Sequence, residues 1–292
     1  MSNISVVMRN ELSNLFRSKL ILITGVIYLL LFAKCLLDLY PPGDQAYSQV
    51  LSYYNMLGGK DSDYYTAILL NNLGYVITFY GSFLGIILGI STVAIERYSN
   101  TLSNLVVKPI YRDTIINGKL MGCSLFILLI FTLSIIAYTV YAMIAWGDAF
   151  SSIAGDYFIR LPVISFVSLL YVLFFFTISM LISLLIADLA FALILSMLLK
   201  FFMVDVLSGE ISGKLSALLG WDFVNPPFRE IIPDGIMSSI FKNPFQSNNL
   251  LNPSSDLASA LSAALPDIGK LMVYVVIFLV AGYIVFVRRD VA

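Results

Sequence analysis

Six apolar stretches, each long enough to cross a bilayer as a helix, dominate this chain and constrain its fold more than any other feature. They fall at about residues 20–39, 73–95, 120–144, 161–187, 189–207 and 271–287. A helix crossing the hydrocarbon needs about 20 mainly apolar residues. Inside lipid an open sheet edge could not satisfy its backbone groups, and the apolar alternation is too irregular for a β-barrel. Composition agrees: 59% of the 292 residues are hydrophobic, 12% are charged, and mean hydropathy is +0.91. Half the usual charge of about 25% cannot cover a water-facing surface of this size. The reading is an all-α integral membrane protein with six transmembrane helices, forming a single transmembrane domain over residues 1–292.

The remaining composition removes whole classes of chemistry. With 17 basic and 18 acidic residues the net charge is −1, which excludes nucleic-acid binding through bulk positive charge. The chain has no histidine, so histidine-based acid–base catalysis, Ser-His-Asp and Cys-His arrangements and most zinc sites are excluded. Cys35 and Cys123 both fall within apolar runs and read as small packing side chains rather than a disulfide framework. The first apolar run is too long for a signal h-region and lacks a small-residue cleavage site, so it is expected to remain as an anchor.

Orientation follows from the basic residues of the short loops. With the N-terminus inside, the inner segments hold Arg9, Arg17, Lys19, Arg97, Lys108, Arg112, Lys119, Arg288 and Arg289. The outer loops, about 40–72 and 145–160, hold only Lys60 and Arg160 against Asp44, Asp61, Asp63, Asp148 and Asp156. Nine against two places both termini in the cytoplasm. Ile4, Met8, Leu12, Leu15 and Phe16 fall on one side of residues 4–19 and Arg9, Asn10, Asn14 and Arg17 on the other, the pattern of an interfacial amphipathic helix leading into the first span. A polar tip at Asp188 should separate spans four and five as a tight hairpin. Between spans five and six lies a long outer segment, 208–270. Within it residues 254–265 read as a short helix capped by Ser254 or Ser255 and stopped by Pro266.

No phosphate-binding loop is present. Gly59-Lys60, Gly118-Lys119 and Gly213-Lys214 all lack the earlier glycine and the following Ser or Thr that G-x-x-x-x-G-K-[ST] requires. The chain is therefore not expected to hydrolyse ATP or to be an enzyme. Active work would need a partner or an ion gradient. In span two Gly81, Gly85 and Gly89 share one helix face, which suits close helix packing either within the chain or at a subunit interface. Between spans two and three, Ser99 or Asn100 can cap a short helix presenting Leu102, Leu105 and Val106, which Pro109 ends. A second helix then starts near residues 112–114.

This segment, 96–119, carries Glu96, Arg97, Thr101-Leu102, Leu105, Pro109, Arg112, Ile115 and Gly118-Lys119, a pattern that resembles the cytoplasmic coupling helix of ABC-2 type transporter permeases. Asn100 stands where a glycine often precedes the Thr, and asparagine tolerates the same left-handed backbone. The amphipathic leading helix, the six spans, Asn252-Pro253-Ser254 and the closing Arg288-Arg289-Asp290 are also similar to the family.

The resemblance implies a permease subunit of an ATP-driven exporter in the plasma membrane of a prokaryote. A second permease, identical or different, would complete the path, and two separate ATP-binding subunits, which carry the ATP and Mg, would dock under the coupling segments. It implies that Glu96, Arg97, Thr101, Leu102, Leu105, Pro109 and Arg112 meet the ATPase. The other reading is an ATPase-coupled membrane anchor that transmits force to an extracytoplasmic partner without transport. Spans two and five line the path in the family, which puts Lys200 and Asp205 at or near it. Lys200 lies about 17 Å along span five from its inner end, and a lysine at that depth needs a partner from another helix, water or substrate. Lys34, by contrast, can pair with Asp38 one turn on.

Overall fold

A computed structural model describes residues 3–37, 39, 60–95, 112–186, 188–207, 217–218, 230–241 and 249–288. Every regular element among them is helical: α1 (Asn3–Arg17), α2 (Lys19–Leu37), α3 (Asp61–Ile90), α4 (Arg112–Trp146), α5 (Asp148–Leu185), α6 (Leu189–Phe201), α7 (Pro233–Phe241) and α8 (Leu257–Arg288). Five of these helices, α2, α3, α4, α5 and α8, are long and apolar enough to cross a membrane. α6 is shorter, and it continues as a π-helical segment, Phe202–Leu207. A second π-helical segment, Ser91–Ile95, ends α3.

Three helices begin well before the apolar runs that announce them. α3 starts at Asp61 rather than near residue 73, with Asp61 and Asp63 in its first turn, where carboxylates complement the helix dipole. α5 starts at Asp148 rather than 161, directly after Gly147. At φ 51° that glycine makes the tight turn from α4 in a backbone region that side chains disfavour. The expected outer loops 40–72 and 145–160 are correspondingly shorter, because polar residues extend each helix beyond its apolar core.

The expected stop at Pro266 does not occur. α8 runs unbroken through Pro266, and its start is set by Asp256, whose carboxylate accepts from the Ser259 amide, rather than by Ser254 or Ser255. A proline removes one helical bond, a loss that packed or membrane helices tolerate. At Asp188 the side chain accepts from the Phe191 amide at 2.7 Å and caps α6 immediately after α5 ends.

The centre of the bundle is the pair α3–α5. A Cβ built on Gly81 would lie 3.1 Å from Val172 Cγ2, and one on Gly85 would lie 2.9 Å from the Val172 carbonyl oxygen. Gly89 meets the Phe176 carbonyl and Ser179 in the same way. Lipid supplies no hydrophobic drive between helices, so attraction comes from close packing and interhelical hydrogen bonds, and glycine permits both. Ser183 Oγ donates to the Ile90 carbonyl at 3.2 Å, and Tyr138 of α4 donates to the Leu69 carbonyl at 3.0 Å. By contrast α2 and α8 expose Leu22, Ile23, Leu30, Val273, Val276 and Ile277, as helices facing lipid or another apolar surface do.

Gly85→Leu should therefore lower stability by at least about 1–3 kcal/mol through overpacking. Gly25→Leu, at a position with nothing within 4 Å, should be silent. Unfolding midpoints of the two variants in detergent check this, and equal midpoints would contradict it.

Candidate functional site: a polar cavity beside a buried lysine

Among the described residues, α3, α5, α7 and the π segment after α6 border a half-open cavity of about 500 Å³. α3 contributes Asn71, Tyr75, Thr78 and Phe79, α5 contributes Tyr171, and the π segment contributes Val204. α7 covers one side with Asp234, Met237, Ser238 and Phe241. Phe241 packs α7 onto α3: its ring lies 2.8 Å from where a Cβ on Gly74 would be, so a side chain there would make the ring shift. Tyr171 donates to Asp234 Oδ1 at 3.1 Å, tying α5 to α7 across the cavity. The other side of this cover is held to α8 by Ser239, which donates to Asp267, and by Tyr274, which donates to the Ile231 carbonyl at 2.6 Å.

Lys200 sits one turn before Val204 and is 3% exposed. Its Nζ donates to the Phe79 carbonyl oxygen at 2.9 Å and lies 3.1 Å from the centre of the Phe83 ring and 4.7 Å from that of Phe79. An ammonium at membrane depth is thus held by a carbonyl and two aromatic faces, whose quadrupoles attract cations. Phe79 links the two features, since its carbonyl holds the lysine while the residue itself lines the cavity. Asp205 belongs to the π segment next to Val204, and its side chain lies outside the described residues. Single π-helical turns are frequent at functional sites, and here they end α3 and α6, the helices read as spans two and five.

The coupling residues Glu96, Arg97, Thr101, Leu102, Leu105 and Pro109 lie outside the described residues, as does Asp38. Arg112 opens α4. What is described is the far edge of that segment. Gly118 and Gly122 of α4 receive α1 so closely that a Cβ on Gly118 would lie 2.6 Å from Val7 Cγ1, and one on Gly122 would lie 3.0 Å from Glu11 Cβ. Lys119 Nζ pairs with Glu11 Oε2 at 3.0 Å, with only 4% and 8% of the two side chains exposed. α1 therefore packs on the helix leaving the coupling segment instead of resting only on a lipid surface. Phe16, expected on the apolar side, is exposed and edges onto the Phe126 ring at 5.2 Å.

Arg160, read as an outer-loop cation, is a further correction. It is buried in α5 and donates to the carbonyl oxygens of Leu250 at 2.9 Å, Ser255 at 2.5 Å and Pro253 at 3.4 Å. It grips the turn that starts α8. In that turn Asn252 Oδ1 accepts from the amide and hydroxyl of Ser254, which gives Asn252-Pro253-Ser254 a structural role. Among the described residues no cluster of potential metal ligands occurs.

With this architecture in view, comparison with known proteins identifies the class. The family described as ABC-2 family transporter protein matches residues 5–291, and the chain belongs to that family. It is a multi-pass transmembrane transport protein, the permease type that associates with ABC ATP-binding subunits, and a transport component rather than a catalytic enzyme. Among curated proteins no match is found.

Removing one partner of the buried α1–α4 ion pair leaves an uncompensated charge, which costs about 3–5 kcal/mol, whereas replacing both with apolar groups is near neutral. Glu11→Ala should therefore sharply lower the unfolding midpoint, and Glu11→Leu combined with Lys119→Met should recover most of the loss. Thermal unfolding followed by gel filtration reads both. A double variant as unstable as the single one would contradict this account.

Proposed function

We propose that this chain is the permease subunit of an ATP-driven exporter and that it works as one of two permeases above two ATP-binding subunits. The observation that carries this is family membership over residues 5–291 in a chain whose sequence has no phosphate-binding loop. The ATP and Mg then belong to the partner. α6 together with its π segment serves as the fifth of six spans. Residues 189–207 reach roughly 28 Å at about 1.5 Å per residue, close to the hydrocarbon thickness of about 30 Å. An even number of spans puts both termini on one side, and the basic bias makes that side the cytoplasm. The membrane is the plasma membrane of a prokaryote.

The substrate path runs along α3 and α6, past Lys200 and Asp205, with the polar cavity on its flank. Glu96, Arg97, Thr101, Leu102, Leu105, Pro109 and Arg112 form the docking surface for the ATPase. Force from it enters α4 close to Lys119 and is shared with α1 through Glu11. A pure force transmitter would need an outer arm free to move. The described parts of residues 230–256 are instead held by Arg160, Tyr171 and Tyr274, which favours transport.

Replacing Leu102 and Leu105 together with Asp should leave yield and membrane insertion unchanged. In the complex with its ATPase it should reduce substrate-stimulated ATP hydrolysis by about tenfold or more, as expected when buried interface anchors are lost. Unchanged stimulation would remove the docking role.

A further inference from the structure

The apolar side of α1 is used on protein rather than on lipid. Leu15 is buried, Leu12 packs against the core, and Val7, Met8 and Glu11 meet Gly118 and Gly122 of α4. Glu11 is the one acid of residues 1–37, and it is buried against Lys119. What α1 leaves exposed is therefore cationic, with apolar side chains set among the charges. Arg9 and Phe16 stand seven residues apart, about two turns, and Val6 and Arg17 eleven apart, about three turns, so each pair lies along one line of the helix. All four are exposed. Past Ser18 the exposure continues into the first turn of α2, with Lys19, Leu20, Leu22 and Ile23.

We propose that this corner of α1 and α2 binds the headgroups of anionic phospholipids, on the membrane face where the N-terminus lies. Among the described residues Arg9, Arg17 and Lys19 make no ion pair. Residues 96–113, which lead into α4, bring two acids, Glu96 and Asp113, against three bases, Arg97, Lys108 and Arg112. That segment has no surplus of acid with which to cover the three cations. Long basic side chains lay their stems on apolar surface and keep the charge at headgroup level. At an interface, attraction to anionic lipid adds to the burial of apolar side chains. The occupant is lipid rather than a protein because the exposed apolar residues continue into α2, a helix long and apolar enough to cross a membrane. The assignment holds on either side of the membrane and for any cargo, so it stands apart from the export reading.

The test uses the full chain, purified and delipidated in a neutral detergent and titrated with dioleoyl phosphatidylglycerol or dioleoyl phosphatidylcholine. The two lipids share their chains and differ in headgroup charge. Native mass spectrometry reads the dissociation constant of the first bound lipids. The anionic lipid is expected to bind roughly tenfold more tightly than the zwitterionic one. A basic residue at an anionic surface is worth about fivefold in affinity. The combined variant Arg9→Gln, Arg17→Gln and Lys19→Gln should therefore lose roughly tenfold or more for the anionic lipid and keep its affinity for the other. Arg9→Lys with Arg17→Lys retains the charge and should bind as the parent does. So should Lys34→Gln, which removes an exposed cation near the other end of α2. Gel filtration of each variant checks that it is folded.

Equal affinity for the two lipids would overturn the proposal, and so would anionic-lipid binding that is indifferent to the triple variant. A loss equally large in Lys34→Gln would also overturn it, since binding would then follow overall charge and not this corner. In the complex with its ATPase, a triple variant that binds the anionic lipid as the parent does but no longer retains the ATPase would give the surface to the protein partner instead.

Discussion

The close approach of α3 and α5 at Gly81, Gly85 and Gly89 is the contact on which the rest of the structure depends. With side chains absent at these positions, Val172 and Phe176 of α5 press against the α3 backbone. The same contact fixes the register of both helices. Tyr171 precedes Val172, so seating Val172 on the glycines sets where Tyr171 meets Asp234. Phe79 lies two residues before Gly81, so its carbonyl and ring are placed for Lys200 and for the cavity by the same packing. The glycine face is occupied within the chain, and Phe131 of α4 also reaches it at Gly81.

Among the described residues three buried cations are settled in three ways, and each way suits its place. Lys119 pairs with Glu11 and joins α1 to α4. Arg160 spreads its guanidinium over three carbonyl oxygens and fixes the turn into α8, a use suited to its planar fork of donors. Lys200 has a carbonyl and aromatic faces. Desolvating a charge costs several kcal/mol unless it is compensated, so these cations fix which neighbours each helix must have. The first two hold the ends of helices. Lys200 stands between α3 and α6, the helices that end in π-helical turns.

The apolar runs made the helices legible because the bilayer imposes length and composition directly on the sequence. Their starts at Asp61, Asp148 and Leu257 were not, since a helix leaving the hydrocarbon continues in polar residues that hydropathy reads as loop. Pro266 misled for a similar reason: its effect in an isolated helix is not its effect in a packed one. The glycine spacing in span two signalled close packing, though not which helix would fill it. Lys200 stood out by depth, but its partner on Phe79 is 121 positions away. The Glu11–Lys119 pair spans 108, and the one signal for it was a lone acid in a basic leading segment. The cavity left no trace in the sequence, because Asn71, Tyr171 and Asp234 meet only once α3, α5 and the short α7 have packed.

The filled contact between α3 and α5 leaves no room for a conduit between them, and the cavity lies on the flank of that pair. On the function proposed here, the path forms with a second permease facing the first, and a separate ATPase supplies the energy. The mass of the smallest transport-active assembly tests this most directly. Native mass spectrometry of the reconstituted complex should give two permeases and two ATP-binding subunits, and a transport-active assembly without an ATPase subunit would contradict the account.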